Sequence, residues 1–203
     1  MLFCELDDRQ VDALREVGNV GAGHAANALS QLIGRAVTLS IPRVEAVPFP
    51  RASSILGGPE TEVAALYMKV YGDTRGNILV VFAPQDLATL AGQVLRAPIS
   101  SIHTPNALER SAILEIGNIM AASYLNAISQ MLHLSLIPSV PALAVDMVGA
   151  ILEAPIVELS RVADSALVLQ TEFREAKQSF RGHFFLLPDP QSLDAMLDAL
   201  ARP

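Results

Sequence analysis

Glu16 and Asn19 stand three residues apart, and so do Glu115 and Asn118. At 100° per residue, positions i and i+3 of a helix share a face, so each pair would present a carboxylate beside an amide on one surface. A carboxylate docks against a cation, and an amide both donates and accepts hydrogen bonds without needing a shifted pKa. The other chemistry-bearing residues form no comparable set. His24, His103, His133 and His183 lack metal-ligand spacing, Cys4 stands alone, and no Ser-His-Asp or Cys-His arrangement can be argued from spacing. No metal site of the chain's own is expected.

The two pairs belong to an internal repeat. A shift of 99 positions lays ALREVGNVGAGHAANALSQLIG, from Ala13, on AILEIGNIMAASYLNAISQMLH, from Ala112, and brings Pro42 onto Pro141. Further on, RGNILVVFAPQDLATL from Arg75 lies on RGHFFLLPDPQSLDAM from Arg181 at a shift of 106, so the second copy carries seven extra residues between Pro141 and Arg181. Ala144 to Leu159, with helical spacing, is the expected place for them; the first copy has RASSILGGPETE there, which reads as a loop.

Each copy reads as a long helix, an extended segment, a two-strand hairpin and a short closing helix, in the first copy about 8–33, 36–48, 62–82 and 84–96. RAPISSIHTP, Arg96 to Pro105, is the linker. Neither half has a comfortable core alone. The expectation is therefore one pseudo-twofold α/β domain over 1–203, with repeats at about 8–97 and 106–201. On the first helix Asp12, Glu16, Asn19, Gly23 and Ser30 form the polar face, with Val11, Leu14, Gly18, Ala25, Leu29 and Leu32 as core. Ser111, Glu115, Asn118, Ala122 and Ser129 match that polar face on the second helix, opposite Ile113, Ile116, Gly117, Tyr124, Ile128 and Met131.

Gly21-Ala-Gly23-His-Ala-Ala26 fits the GxGxxA dinucleotide fingerprint, but that motif needs a hydrophobic strand before it, and DDRQVDALREV is charged and helical in spacing. Small residues beside Asn19 and Asn118 suit the close approach of another protein's backbone instead, while Gly18 and Gly117 suit close internal packing.

The chain has 203 residues, 51% of them hydrophobic, with 14 Lys and Arg against 21 Asp and Glu for a net charge of -7. No basic run appears, so no nucleic-acid partner is expected. A single Cys and an acidic start without a signal peptide point to the cytoplasm. Ile116 to Val145 lacks charged residues, yet polar residues and Pro138 and Pro141 interrupt it; a buried helix followed by a strand is expected, with no membrane insertion.

DxxxExxN from Asp12 and SxxxExxN from Ser111, each with twenty-two residues between its Asn and a Pro, are similar to the signature of the CheC, CheX and FliY family of CheY-P phosphatases. The resemblance, strongest to the CheC type, covers essentially the whole chain. It implies a CheC-like fold: two α-β-β-β-α repeats forming a continuous, mostly antiparallel sheet with the long helices packed on it. It also implies hydrolysis of the aspartyl phosphate of a CheY-type response regulator. Asn19 and Asn118 would position the attacking water; Glu16 and Glu115 would pair with the receiver's lysine; Asp12 and Ser111 would support docking. The chain would need no cofactor of its own, because the receiver brings its Mg²⁺. Pro42 and Pro141 would shape the strand after each helix. A second possible partner is CheD, and the segment around VDMVGAIL resembles the region used for that contact. Asp146 is a candidate contact there, with a helix N-cap as the plain reading. The alternative function is a binding or regulatory module for CheY or CheD with little or no catalysis. A monomer is expected, since the duplication supplies its own twofold partner.

Overall fold

Both long helices begin with the same device. Asp7 caps α1 (Asp8–Ile33): its carboxylate accepts the Gln10 amide while the Gln10 side chain accepts the Asp7 amide. Asn106 and Glu109 do the same for α3 (Ala107–Leu132). These reciprocal bonds satisfy amides that a helix start leaves unpaired. The helices also end alike. Gly34 and His133 cap them in the left-handed region, at φ 69° and 54°, and donate to Ser30 and Ser129.

The computed structural model describes residues 6–40, 42–161, 164–175 and 180–201; Cys4 lies outside them. After α1 come β1 (Val37–Leu39), β2 (Arg43–Pro48), a 3-10 helix (Phe49–Leu56), the hairpin β3 (Glu62–Gly72) and β4 (Gly76–Phe82), and α2 (Pro84–Leu95). After α3 the order recurs as β5 (Leu136–Pro138), β6 (Ala142–Met147), α4 (Val148–Leu159), β7 (Ser165–Glu175), β8 (Arg181–Pro188) and α5 (Pro190–Leu200).

The strands make one antiparallel sheet in the order β1-β7-β8-β4-β3-β5, with β2 continuing β1 along β7 and β6 continuing β5 along β3. Each half therefore lends its edge strands to the other half's hairpin. The register repeats as well: Val44 lies opposite Leu169 and Leu143 opposite Leu66, while Lys69 faces Asn77 and Glu172 faces His183.

The sheet is apolar on both faces, which is why β4 reads as a continuous hydrophobic run and is buried throughout. On one face α1 and α3, flanked by α2 and α5, cover Leu66, Met68, Ile78, Val80, Leu169 and Phe184. On the other, the 3-10 helix and α4 cover Val63, Leu79, Val81, Val168 and Phe185. The segment read as a loop from Arg51 thus contains helix through Leu56, because Phe49, Ile55 and Leu56 have an apolar sheet face to cover. The segment read as helical from Ala144 begins instead as β6, completing the pairing with β3, and turns helical only at Val148.

Leu14, Ala25, Leu29, Ile113, Ile116, Tyr124 and Ile128 are buried as their spacing implies. Met131 is not: it is 37% exposed, and Leu132 takes the core position. Among the described residues, no helix is long and apolar enough to cross a membrane.

Candidate functional site

Glycine sets how close α1 lies to its neighbours. A Cβ on Gly18 would stand 3.3 Å from Pro42 Cβ, and one on Gly21 2.8 Å from the Tyr124 ring, itself stacked on Phe184. Gly117 fills the same role on α3, where a Cβ would meet Leu66 at 3.0 Å. Gly18 and Gly117 thus serve close internal packing, as their spacing suggests, and so does Gly21. Gly23 differs: it is exposed, with nothing within 4 Å of where its Cβ would be. Pro42 and Pro141 are both buried.

The opposite faces of the two helices carry the candidate residues. Asp12, Glu16 and Asn19 on α1, and Ser111, Glu115 and Asn118 on α3, are all exposed. Asp12 is ion-paired with Arg15, one turn along. Asn118 Nδ2 lies 3.4 Å from Glu115 Oε2, so on α3 the amide leans on the carboxylate. Among the described residues, the Glu16 and Asn19 side chains have no hydrogen-bonding partner. None of the four Glu and Asn side chains is used to hold the fold together, so each is available to a partner.

Ser30 and Ser129, expected on the same polar faces, are spent locally. Ser30 Oγ donates to the Ala26 carbonyl and accepts the Val37 amide; Ser129 Oγ accepts the Leu136 amide. They tie each helix end to the strand that follows.

Asp146 lies apart from both helix surfaces, exposed in β6 opposite Val63. It does not cap α4, whose N-cap is Met147; its carboxylate accepts the Met147 amide at 2.7 Å. Arg15 is the neighbour that sequence spacing did not single out, although Asp12 and Arg15 at i and i+3 are a helix ion-pair signature. Among the described residues, no cluster of three His, Cys, Asp or Glu side chains could hold a metal ion.

A sheet with paired long helices and a doubled Glu-x-x-Asn surface defines a CheC-type module. The family model described as CheC-like matches residues 10–45 and 108–145, spanning both signatures and both prolines. The chain is 32% identical to the CheY-P phosphatase CheC of Bacillus subtilis (strain 168), over 98% of this chain and 97% of that protein. It belongs to the CheC-like family. The fold is shared with Thermotoga maritima FliY, at a TM-score of 0.77 and 17% identity over 97% of this chain and 98% of the other. It is also shared with the FliM middle domain of H. pylori, at 0.68 and 12% identity over 96% and 99%.

Proposed function

We propose that the chain is a chemotaxis phosphatase that hydrolyses the aspartyl phosphate of a CheY-type response regulator, with one site on α1 and one on α3. The observation that carries this reading is the pair of exposed Glu-x-x-Asn surfaces whose side chains the fold leaves free. Identity to a CheY-P phosphatase over nearly the whole chain supports it.

An acyl phosphate already has a good leaving group, so the missing ingredient is a water held in line with phosphorus. Asn19 or Asn118, donor and acceptor at once, holds that water. The water oxygen bonds to phosphorus as the bond to the receiver's carboxylate breaks, which returns the free Asp and inorganic phosphate. Glu16 and Glu115 pair with a lysine of the receiver and set the helix register; Asp12 and Ser111 support docking. Exposed Gly23 and small Ala122 let the receiver backbone come close. The chain brings no cofactor: Mg²⁺ belongs to the receiver. We read the chain as a cytoplasmic monomer of one domain, with CheD as a second partner at the β6–α4 junction around Asp146 and exposed Met147.

A docking role without turnover is the second reading, favoured by the fold shared with a FliM middle domain. Phosphate release from a phosphorylated CheY-type receiver with Mg²⁺ separates the two. Wild type accelerates it, Asn19→Ala and Asn118→Ala each remove one site's share, and the double variant removes all of it while still binding. A wild-type chain that binds the receiver without accelerating release establishes the docking role instead.

A further inference from the structure

The face of the sheet remote from α1 and α3 is closed unequally. Beyond the apolar patch under α4, the β3–β4 hairpin carries Tyr67, Lys69 and Asn77, and these are satisfied in place. The Tyr67 hydroxyl lies 2.5 Å from Asn77 Oδ1, and Lys69 Nζ donates to both carboxylate oxygens of Glu158 on α4 at 3.0 Å. In the β7–β8 hairpin the same register positions are Gln170, Glu172 and His183. There the covering element is the shorter 3-10 helix, which ends at Leu56 and reaches the site only with Ile55. What is closed in one half is open in the other, as a cleft of about 770 Å³ that runs from Gln170 and His183 on this face, past Ser40, Arg43 and Glu45 at the sheet edge, to Arg15 of α1. That volume is in the range of small-molecule sites.

The lining mixes charges, and some of them are already engaged. Glu172 on the floor is already committed, paired with Arg174 and with Arg181 at 3.4 Å. Burial pulls its pKa upward, but these guanidinium groups hold it below the usual carboxylate range. His183 sits 3.3 Å from Gln170 Nε2, and burial lowers its pKa, so it offers a neutral imidazole. Arg43 is exposed on β2 and, among the described residues, has no ion-pair partner. The lining itself balances, Arg15 and Arg43 against Glu45 and Glu172, with Glu172 held by Arg174 and Arg181 from outside it. The whole chain carries -7.

We propose that this cleft is a binding site for a small oxyanion-bearing metabolite, a carboxylate or a phosphate, held by Arg43 and Arg15 over the Gln170–His183 floor. Two guanidinium groups suit such oxyanions through paired N–H donors. Ser40 and Glu45 complete the rim with groups that can engage a ligand hydroxyl. Arg15 is shared with Asp12 of the α1 surface, so an occupant competes with Asp12 for it and couples the cleft to that surface alone. The α3 surface has no counterpart.

Calorimetric and amide-NMR titration of the full chain with sodium phosphate, pyrophosphate and citrate tests this. The expected result is saturable binding of at least one of the three. Shifts centre on Ser40, Arg43, Gln170 and His183, the affinity falls at least tenfold in Arg43→Glu, and Arg75→Glu in the closed half leaves it unchanged. Three results overturn the proposal: no saturation up to 10-fold above millimolar protein with any of the three, an equal loss in both variants, or binding of a polyglutamate peptide while all three small anions fail.

Discussion

The ring of Tyr124 on α3 occupies the space that a Cβ on Gly21 of α1 would need, with ring carbons 2.8–3.0 Å from it. Tyr124 cannot move aside, because it is buried and stacked on Phe184 at a centroid distance of 4.3 Å. Overpacking of this kind costs about 1–3 kcal/mol, against about 1 kcal/mol gained in helix propensity. Gly21→Ala is therefore expected to lower stability by about 1 kcal/mol in denaturant melts. Gly23→Ala, with open space around it, gains the propensity term and raises stability by about 0.5–1 kcal/mol. Equal shifts in the two variants would contradict this assignment.

His133 ends α3 in the left-handed region where Gly34 ends α1. A side chain there costs about 1 kcal/mol, less the backbone entropy that glycine forfeits on folding. His133→Gly should raise the melting temperature slightly, and Gly34→Ala should lower it. A His133→Gly variant that melts lower would mean that the imidazole holds a contact outweighing the strain.

Glu109 fastens the linker to α3. Its carboxylate accepts the amides of Ser100 and Asn106, at 2.7 and 2.8 Å, and the Ser100 hydroxyl at 2.8 Å. The Ser100 and Asn106 backbone bonds hold its pKa below the usual carboxylate range. A depressed folded pKa gives stability that is full above the unfolded value and is lost as pH falls through the folded one. The gap in melting temperature between wild type and Glu109→Gln should be constant near neutrality and close in acid. A gap independent of pH down to strong acid would exclude the charge as its cause.

Under the phosphatase reading, the two residue types of each signature should separate kinetically. Charge removal at Glu16 and Glu115 weakens docking and raises KM with a smaller effect on kcat, whereas Asn→Ala lowers kcat with KM little changed. Steady-state rates against receiver concentration check this, and a kcat defect confined to the Glu variants would reverse the assigned roles.

The helices and hairpins were legible because their signals are local: the 3.6-residue spacing around Leu14, Gly18 and Ala25, and the β-branched runs flanking Gly72 to Gly76. So was the exposed face of Glu16, Asn19, Glu115 and Asn118. Asp7-x-x-Gln10 and Asn106-x-x-Glu109 are equally local capping signatures, which hydrophobic periodicity alone passes over. What a single sequence does not reveal is pairing at long range. Asp146 became a strand residue through Val63, more than 80 positions away, and the Phe49–Leu56 segment became helical through the sheet face it covers. The cleft at Gln170 and His183 depends on the unequal reach of two covering segments, which appears only when the halves are superposed in space.

The strand order also dictates a timetable for a chain made from its N-terminus. β7 and β8 sit in the interior of the sheet, beside β1, β2 and β4, yet are translated after every other strand. Until Ser165 leaves the ribosome, β2 and β4 wait with bare hydrogen-bonding edges, and unpaired edges invite association between chains. The middle of the sheet is thus filled last, so a nascent chain stalled ahead of β7 is the species most in need of a chaperone.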